Sequence, residues 1–140
     1  YAVIQTYSPT HKVITLAASQ DYPAFYREEL AFRRAMRYPP FCDIVRLMLV
    51  SENEKELFRA AKSLSESLKN KIETDYADLP FAVFGPFEAQ VYKINDKFRM
   101  RMVIKCKLNK QTRGLFHQLL LEFATHRKVS LAVDMNPLTV

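Results

Sequence analysis

Lys97 to Lys107 reads KFRMRMVIKCK, and its two parities carry different chemistry. Phe98, Met100, Met102, Ile104 and Cys106 share one parity. Lys97, Arg99, Arg101, Lys105 and Lys107 share the other, interrupted only by Val103. Side chains on a β-strand alternate between two faces, so the stretch predicts a strand with an apolar face and a cationic face. The apolar row is suited to burial against helices, leaving five cations on the reverse side. Parity alone also describes the solvated outer face of an ordinary sheet, so the purpose of the cations has to come from the rest of the chain.

Upstream, Asn95-Asp96 is a turn signal and Ala89–Ile94 has strand character, so 89–107 reads as a β-hairpin. Phe81–Phe84 is a short strand broken by Gly85-Pro86. Before it, Ile44–Val50 (IVRLMLV) is a strand of buried type, and Ser51 with Glu54 predicts a capping box. Leu57, Ala61, Leu64, Leu68 and Ile72 then mark one face of a long helix, whose other positions carry charges of mixed sign. Downstream, Asn109 caps a helix with Leu115, Phe116, Leu119, Leu120 and Phe123 on its apolar face. Val129–Val133 is the last strand, closed by Asn136-Pro137. The order from Ile44 is β-α-β-β-α-β, which predicts an α+β, ferredoxin-like domain: a four-stranded antiparallel sheet with both helices on one face. Right-handed crossovers leave the other face free, with Arg99, Arg101 and Lys105 on it.

The first forty residues read differently. Ala2–Tyr7 (AVIQTY) predicts a strand ended by Ser8-Pro9, with Ser8 as N-cap and Pro9 at the first position of a helix through Ala18. Asp21 predicts a second N-cap, for a helix carrying Phe25, Tyr26, Leu30, Arg33 and Arg34 at helical spacing. Tyr38-Pro39-Pro40 stops that helix and marks a boundary between residues 1–40 and 41–140. A lone strand has unpaired edges, so Ala2–Tyr7 is expected to belong to a sheet formed elsewhere.

An apolar content of 49% and a charged content of 26% are those of a globular chain long enough at 140 residues to bury a core. No apolar run approaches membrane-spanning length. Two glycines leave no room for a Gly-rich phosphate loop, which also argues against a small acylphosphatase-like enzyme on this fold. Cys42 and Cys106 form no CxxC pair and read as reduced packing thiols, in keeping with a cytoplasmic protein. The net charge is +6, and it is unevenly placed. Residues 79–140 hold ten Lys/Arg against four Asp/Glu, whereas residues 43–78 hold six against eight. Basic charge gathered on one part of a domain is the electrostatic footprint of a nucleic-acid binder.

Catalysis finds little support. His11, His117 and His126 lie in separate elements without metal-ligand spacing. Cys106 has core parity, Asp134 is placed to fix the turn after its strand, and Glu28-Glu29 lies among arginines suited to intrahelical ion pairs. Phosphate contact by the basic row is better supported, with Tyr92 the aromatic available for stacking and Phe98 on the core side.

The segments VIQTYSPTHKVI, DYPAFYREELAFRRAMRYPPF, GPF, FRMR and DMNP occur in this order along the chain. Together they resemble the C-terminal end of the primosomal protein N-prime family, bacterial helicases that restart stalled replication forks. The resemblance spans essentially the whole chain, and Asp134-Met135-Asn136-Pro137 looks like the variant of Gram-positive members. It implies an ATP-driven 3′-to-5′ DNA helicase in full length, with ATP, Mg²⁺ and zinc held upstream and no cofactor in this part. Residues 1–40 then resemble the end of the second motor lobe and its connecting helices. Residues 41–140 resemble a DNA-binding domain similar in fold to a small-ribosomal-subunit protein. DNA contacts fall on Lys93, Lys97, Arg99, Arg101, Lys105 and Lys107. The family's pocket for the acidic tail of single-stranded-DNA-binding protein corresponds to Lys110 or Arg113, and the junction with the motor to Leu30, Arg33, Tyr38, Pro39, Pro40 and Phe41. Expected partners are forked or single-stranded DNA, single-stranded-DNA-binding protein and other primosome proteins. Family members often carry Trp or Tyr where Phe98 and Met100 stand here. The alternative on the same residues is a bracing and protein-docking module that does not touch DNA.

Overall fold

The computed structural model describes residues 1–139, and residues 2–7 form no strand in it. A strand needs a partner for its N–H and C=O groups, and none of the described strands pairs with this segment. Helix α1 (Lys12–Ala18) starts later than Ser8-Pro9 suggests. Ser8-Pro9-Thr10-His11 is instead a turn closed by His11 N–H donating to the Ser8 carbonyl at 3.0 Å, a sequence with serine first and proline second as such turns favour. His11 caps α1, its Nδ1 accepting from Val13 N–H. Helix α2 (Tyr22–Ala35) begins at Asp21, whose Oδ1 accepts from Ala24 N–H at 3.0 Å. It ends before the prolines, in a Schellman motif. Tyr38 N–H reaches the Arg33 carbonyl at 2.8 Å and Arg37 sits at φ 49°.

The chain divides into two compact units, Tyr1–Phe41 and the residues from Cys42 onward. The second unit holds β1 (Asp43–Ser51), α3 (Glu54–Asp75), β2 (Ala82–Ile94), β3 (Lys97–Cys106), α4 (Lys110–Ala124) and β4 (Ser130–Met135). All neighbouring strands are antiparallel, in the order β2-β3-β1-β4. This is the split βαβ topology with β1 and β3 at the centre. Val45, Leu47 and Leu49 of β1 and Met100, Met102, Ile104 and Cys106 of β3 are buried with Leu57, Leu64 and Leu68 of α3 and Leu115, Phe116 and Leu119 of α4. Both helices therefore cover one face, and truncating a fully buried member such as Leu47 to Ala would cost about 2–5 kcal/mol.

Three local expectations are corrected. Asn53, rather than Ser51, caps α3, its Oδ1 accepting from Glu56 N–H at 3.1 Å. Ser51 still belongs to β1: its buried hydroxyl donates to the Lys128 carbonyl at 2.7 Å and accepts from the N–H of the cap residue Asn53 at 3.0 Å, so it reaches the cap residue and not the first-turn N–H groups of the helix. The Gly85-Pro86 break lies inside one long strand, β2, which absorbs it with shifts of register between Phe84 and Phe87 and between Glu88 and Lys93. Asp134 does not fix the closing turn. Asn136 does so at φ 53°, its N–H donating to the Ile44 carbonyl at 2.7 Å and its Oδ1 accepting from Ile44 N–H at 2.9 Å.

Asp43 completes that clamp, accepting from Asn136 Nδ2 at 2.9 Å and from Leu108 N–H at 2.8 Å. It thus ties the start of β1 to the exits of β3 and β4. The Leu108 N–H holds its carboxyl below the usual value, helped by the Asn136 amide and the charges of Lys107 and Arg113, while burial works the other way. A carboxyl whose folded value is depressed stabilises above its unfolded value and loses that contribution as pH falls through the folded one. Asp43→Ala is therefore expected to lower stability by about 1.5–3 kcal/mol at neutral pH. In urea unfolding followed by circular dichroism, that difference should shrink steadily below about pH 4.

Candidate nucleic-acid interface

Antiparallel pairing fixes which side chains share the helix-free face. Along β3 these are Lys97, Arg99, Arg101, Val103 and Lys105. On β1, Val50 stands opposite Arg99, Met48 opposite Arg101, Arg46 opposite Val103 and Ile44 opposite Lys105. On β2, Ala82 stands opposite Lys105, Phe84 opposite Val103 and Phe87 opposite Arg101. Helices α3 and α4 lie on the opposite face, and Ile44 and Val103 are buried residues of this one.

The cations there are not equivalent. Arg46 is neutralised by Asp134 on β4, Nη2 to Oδ2 at 2.8 Å, and also donates from Nη1 to the Thr139 carbonyl at 2.9 Å. Arg99 and Arg101 have no carboxylate partner among the described residues. Both have half-buried stems. The Arg101 Nε is shielded and has no hydrogen-bond partner among the described residues. Lys105 extends over the Phe84 ring, its Nζ at 5.8 Å from the centroid. Lys97 is exposed and 4.0 Å from Glu52. Lys107 lies just past the end of β3, also exposed.

Lys93 does not join this row. It pairs across the hairpin with Phe98, on the helix side, with its Nζ 5.1 Å from that ring and 3.0 Å from Asp96 Oδ1. Tyr92 also turns to the helix side. Its hydroxyl donates to Glu54 Oε1 at 2.9 Å, and desolvation followed by that carboxylate pushes it up to about 12. It is engaged in packing against Phe98 rather than offered for stacking. The aromatics on the cationic face are Phe84 and Phe87, which sequence reading missed. The Asn95-Asp96 turn, both residues at positive φ, pairs Ile94 with Lys97. Continued without slippage, that register would place Phe87 opposite Ile104, on the core side. The irregularities in β2 bring it to Arg101 instead.

Lys110 and Arg113 stand exposed on the first turn of α4, which is capped by a reciprocal Asn109–Thr112 box. Arg113 donates to Met135 Sδ at 3.3 Å, and Lys110 has no acidic partner among the described residues. In the first unit, Arg33 makes the intrahelical ion pair expected of Glu29, bonding its Oε1 at 2.6 Å, and also donates to the Pro39 carbonyl at 3.1 Å. Phe32 packs on Tyr38, Arg34 lies 4.9 Å over the Phe41 ring, and Leu30 is half-buried. Glu28 pairs with Lys12 of α1.

No group of three His, Cys, Asp or Glu that could hold a metal occurs among the described residues. Cys106 is buried, and burial pushes its thiol up to about 11, far from a thiolate nucleophile. His126 stacks on Phe123 and His117 is exposed on α4. No described helix is long and apolar enough to cross a membrane.

Residues 34–138 match the primosomal protein N C-terminal domain. The replication restart protein PriA of Bacillus subtilis is 32% identical over 98% of this chain and 17% of its own length. That of Chlamydia muridarum is 30% identical over 98% of the chain and 18% of its own length. The Thermotoga maritima protein is 33% identical over 74% of the chain and 13% of its own length. The chain thus spans less than a fifth of these relatives. Among solved structures, a de novo designed protein with a ferredoxin fold is similar at a TM-score of 0.48, with 8% identity over 71% of this chain and 88% of that one. With three quarters of its residues inside the matched region, the chain belongs to the family of primosomal protein N C-terminal domains, the C-terminal part of replication restart proteins.

Proposed function

We propose that this chain is the DNA-binding C-terminal part of an ATP-dependent 3′-to-5′ restart helicase, and that it holds forked DNA through the phosphates. The observation that carries this reading is the pair Arg99 and Arg101, on the sheet face opposite α3 and α4, with no carboxylate set against either among the described residues. Lys97, Lys105 and Lys107 extend the row to both sides. Phosphate contact by such a row supplies affinity without sequence choice and releases counterions, so binding falls steeply with salt. The protein's catalytic machinery lies outside this chain, whose part is to place DNA for it and to help assemble the restart primosome. Leu30, Arg33 and Tyr38–Phe41 are assigned to the junction with the motor.

Titrating a forked oligonucleotide with the 140-residue chain at rising salt is expected to give a steep log–log decline. Arg99→Ala with Arg101→Ala should weaken binding and flatten the slope by about 1.4–1.8, one phosphate per arginine. Thermal unfolding should be little changed, because neither guanidinium holds up the core. A slope that the double variant leaves untouched would show the row to be only a solvated face.

Lys110 and Arg113 support a second, separate contact. Two exposed cations on one turn suit an acidic peptide, and the tail of single-stranded-DNA-binding protein is the partner proposed there. Lys110→Glu with Arg113→Glu is expected to abolish binding of an acidic peptide in calorimetry while leaving the DNA salt slope as it was. Loss of both together would mean that the two surfaces are one.

A further inference from the structure

We infer that Phe87, with Phe84 beside it, forms a base-stacking platform, so that this face takes the unpaired bases of single-stranded DNA and not phosphates alone. The inference rests on the phosphate reading above and adds the substrate's strandedness to it. Phe84 is 43% exposed and Phe87 49% exposed, on the same face as Arg99, Arg101 and Lys105. Apolar rings of that size are ordinarily turned inward, and the neighbouring Phe81 and Val83 are packed against the core.

The placement of Phe87 is built into the backbone. Gly85 has φ +99°, and a Cβ there would lie 3.0 Å from the Arg101 carbonyl, 3.1 Å from Phe87 N and 3.2 Å from the Phe87 ring. Only glycine lets the strand kink closely enough across β3 to bring Phe87 opposite Arg101. Phe87 makes no ring or cation contact among the described residues. Phe84 and Phe87 are opposite Val103 and Arg101, two residues apart on β3, which spaces them by about 6.8 Å along the strand. That is about twice the 3.4 Å rise of a stacked nucleotide strand, so the two rings suit successive bases of an extended, unstacked one. Base pairs in a duplex present no free face to them. An aromatic ring is sequence-tolerant because every base has a π-face, and the arginine row alongside meets the phosphates that follow.

The test compares a 20-nucleotide oligothymidine with an abasic oligonucleotide of equal length and charge, at several salt concentrations. The unaltered chain should bind oligothymidine at least about tenfold more tightly. Phe84→Leu with Phe87→Leu should bring the two affinities together while keeping the affinity for the abasic strand and its salt slope, which also shows that the fold survives. Gly85→Ala, which displaces Phe87, should lose part of the preference. Equal binding of both oligonucleotides by the unaltered chain, or a base preference that survives in the leucine variant, overturns the stacking platform. Equal binding with a steep salt slope would do so while leaving the phosphate reading standing. A base preference without salt dependence would sink the phosphate reading and spare the platform.

Discussion

Strict alternation along β3 is the constraint from which the rest of this domain follows. Met100, Met102, Ile104 and Cys106 are all inside the core shared with α3 and α4. A one-residue slip of the strand would exchange that apolar row for Arg99, Arg101 and Lys105 and would bury charges at a cost no local contact offsets. Register is therefore set by the hydrophobic row, and the cationic row is positioned as its consequence. Since β3 is a central strand, flanked by β1 and β2, the cations stand in the middle of a sheet face and not on a rim. Burial on one side of the sheet is what makes the other side a surface of defined geometry.

Arg46 shows how that surface discriminates among chemically identical side chains. It lies on the same face as Arg99 and Arg101, directly across from Val103, yet Asp134 sits beside it on β4 and the Thr139 carbonyl takes a second donor. An arginine so engaged would have to break a charge-assisted bond before meeting a phosphate. Arg99 and Arg101 lie four and two residues from the engaged site, where β1 offers Val50 and Met48 and not a carboxylate. Apolar neighbours do two things here. They cover the methylene stems, which fixes where the guanidinium groups emerge, and they lower the local screening that would otherwise dilute the attraction.

How much could be read in advance follows the same division between local and non-local causes. The two faces of β3, the apolar faces of α3 and α4, and the Asn95-Asp96 turn are local patterns, and the β-α-β-β-α-β order is assembled from them. The cap of α3 differs from the expectation because two overlapping signatures compete, and Ser51 stays in β1, donating to the Lys128 carbonyl 77 residues away in the chain while accepting from the cap residue Asn53. Asp134 was misassigned for a similar reason: its partner Arg46 is reached only through the pairing of β1 with β4. Residues 2–7 have the composition of a strand, but composition supplies no partner edge.

Phe87 is the hardest case, because the signal was present and misleading. Counting from the hairpin turn puts it on the core side. The irregular pairing between Glu88 and Lys93 reverses that outcome, and the glycine at 85 allows the close passage that follows. An extra residue in a strand is costly unless something uses the changed direction of its side chains. In β2 the irregularities leave Val83 half-buried against the core and Ala89 buried while turning Phe84 and Phe87 toward the arginine row. A β2 that kept the hairpin register throughout would have turned Phe87 toward the core and set Tyr92 opposite Arg99 and Gln90 opposite Arg101. The strand's departures from regularity and the composition of the cationic face are thus a single structural fact, and it is one that periodicity in the sequence is unable to encode.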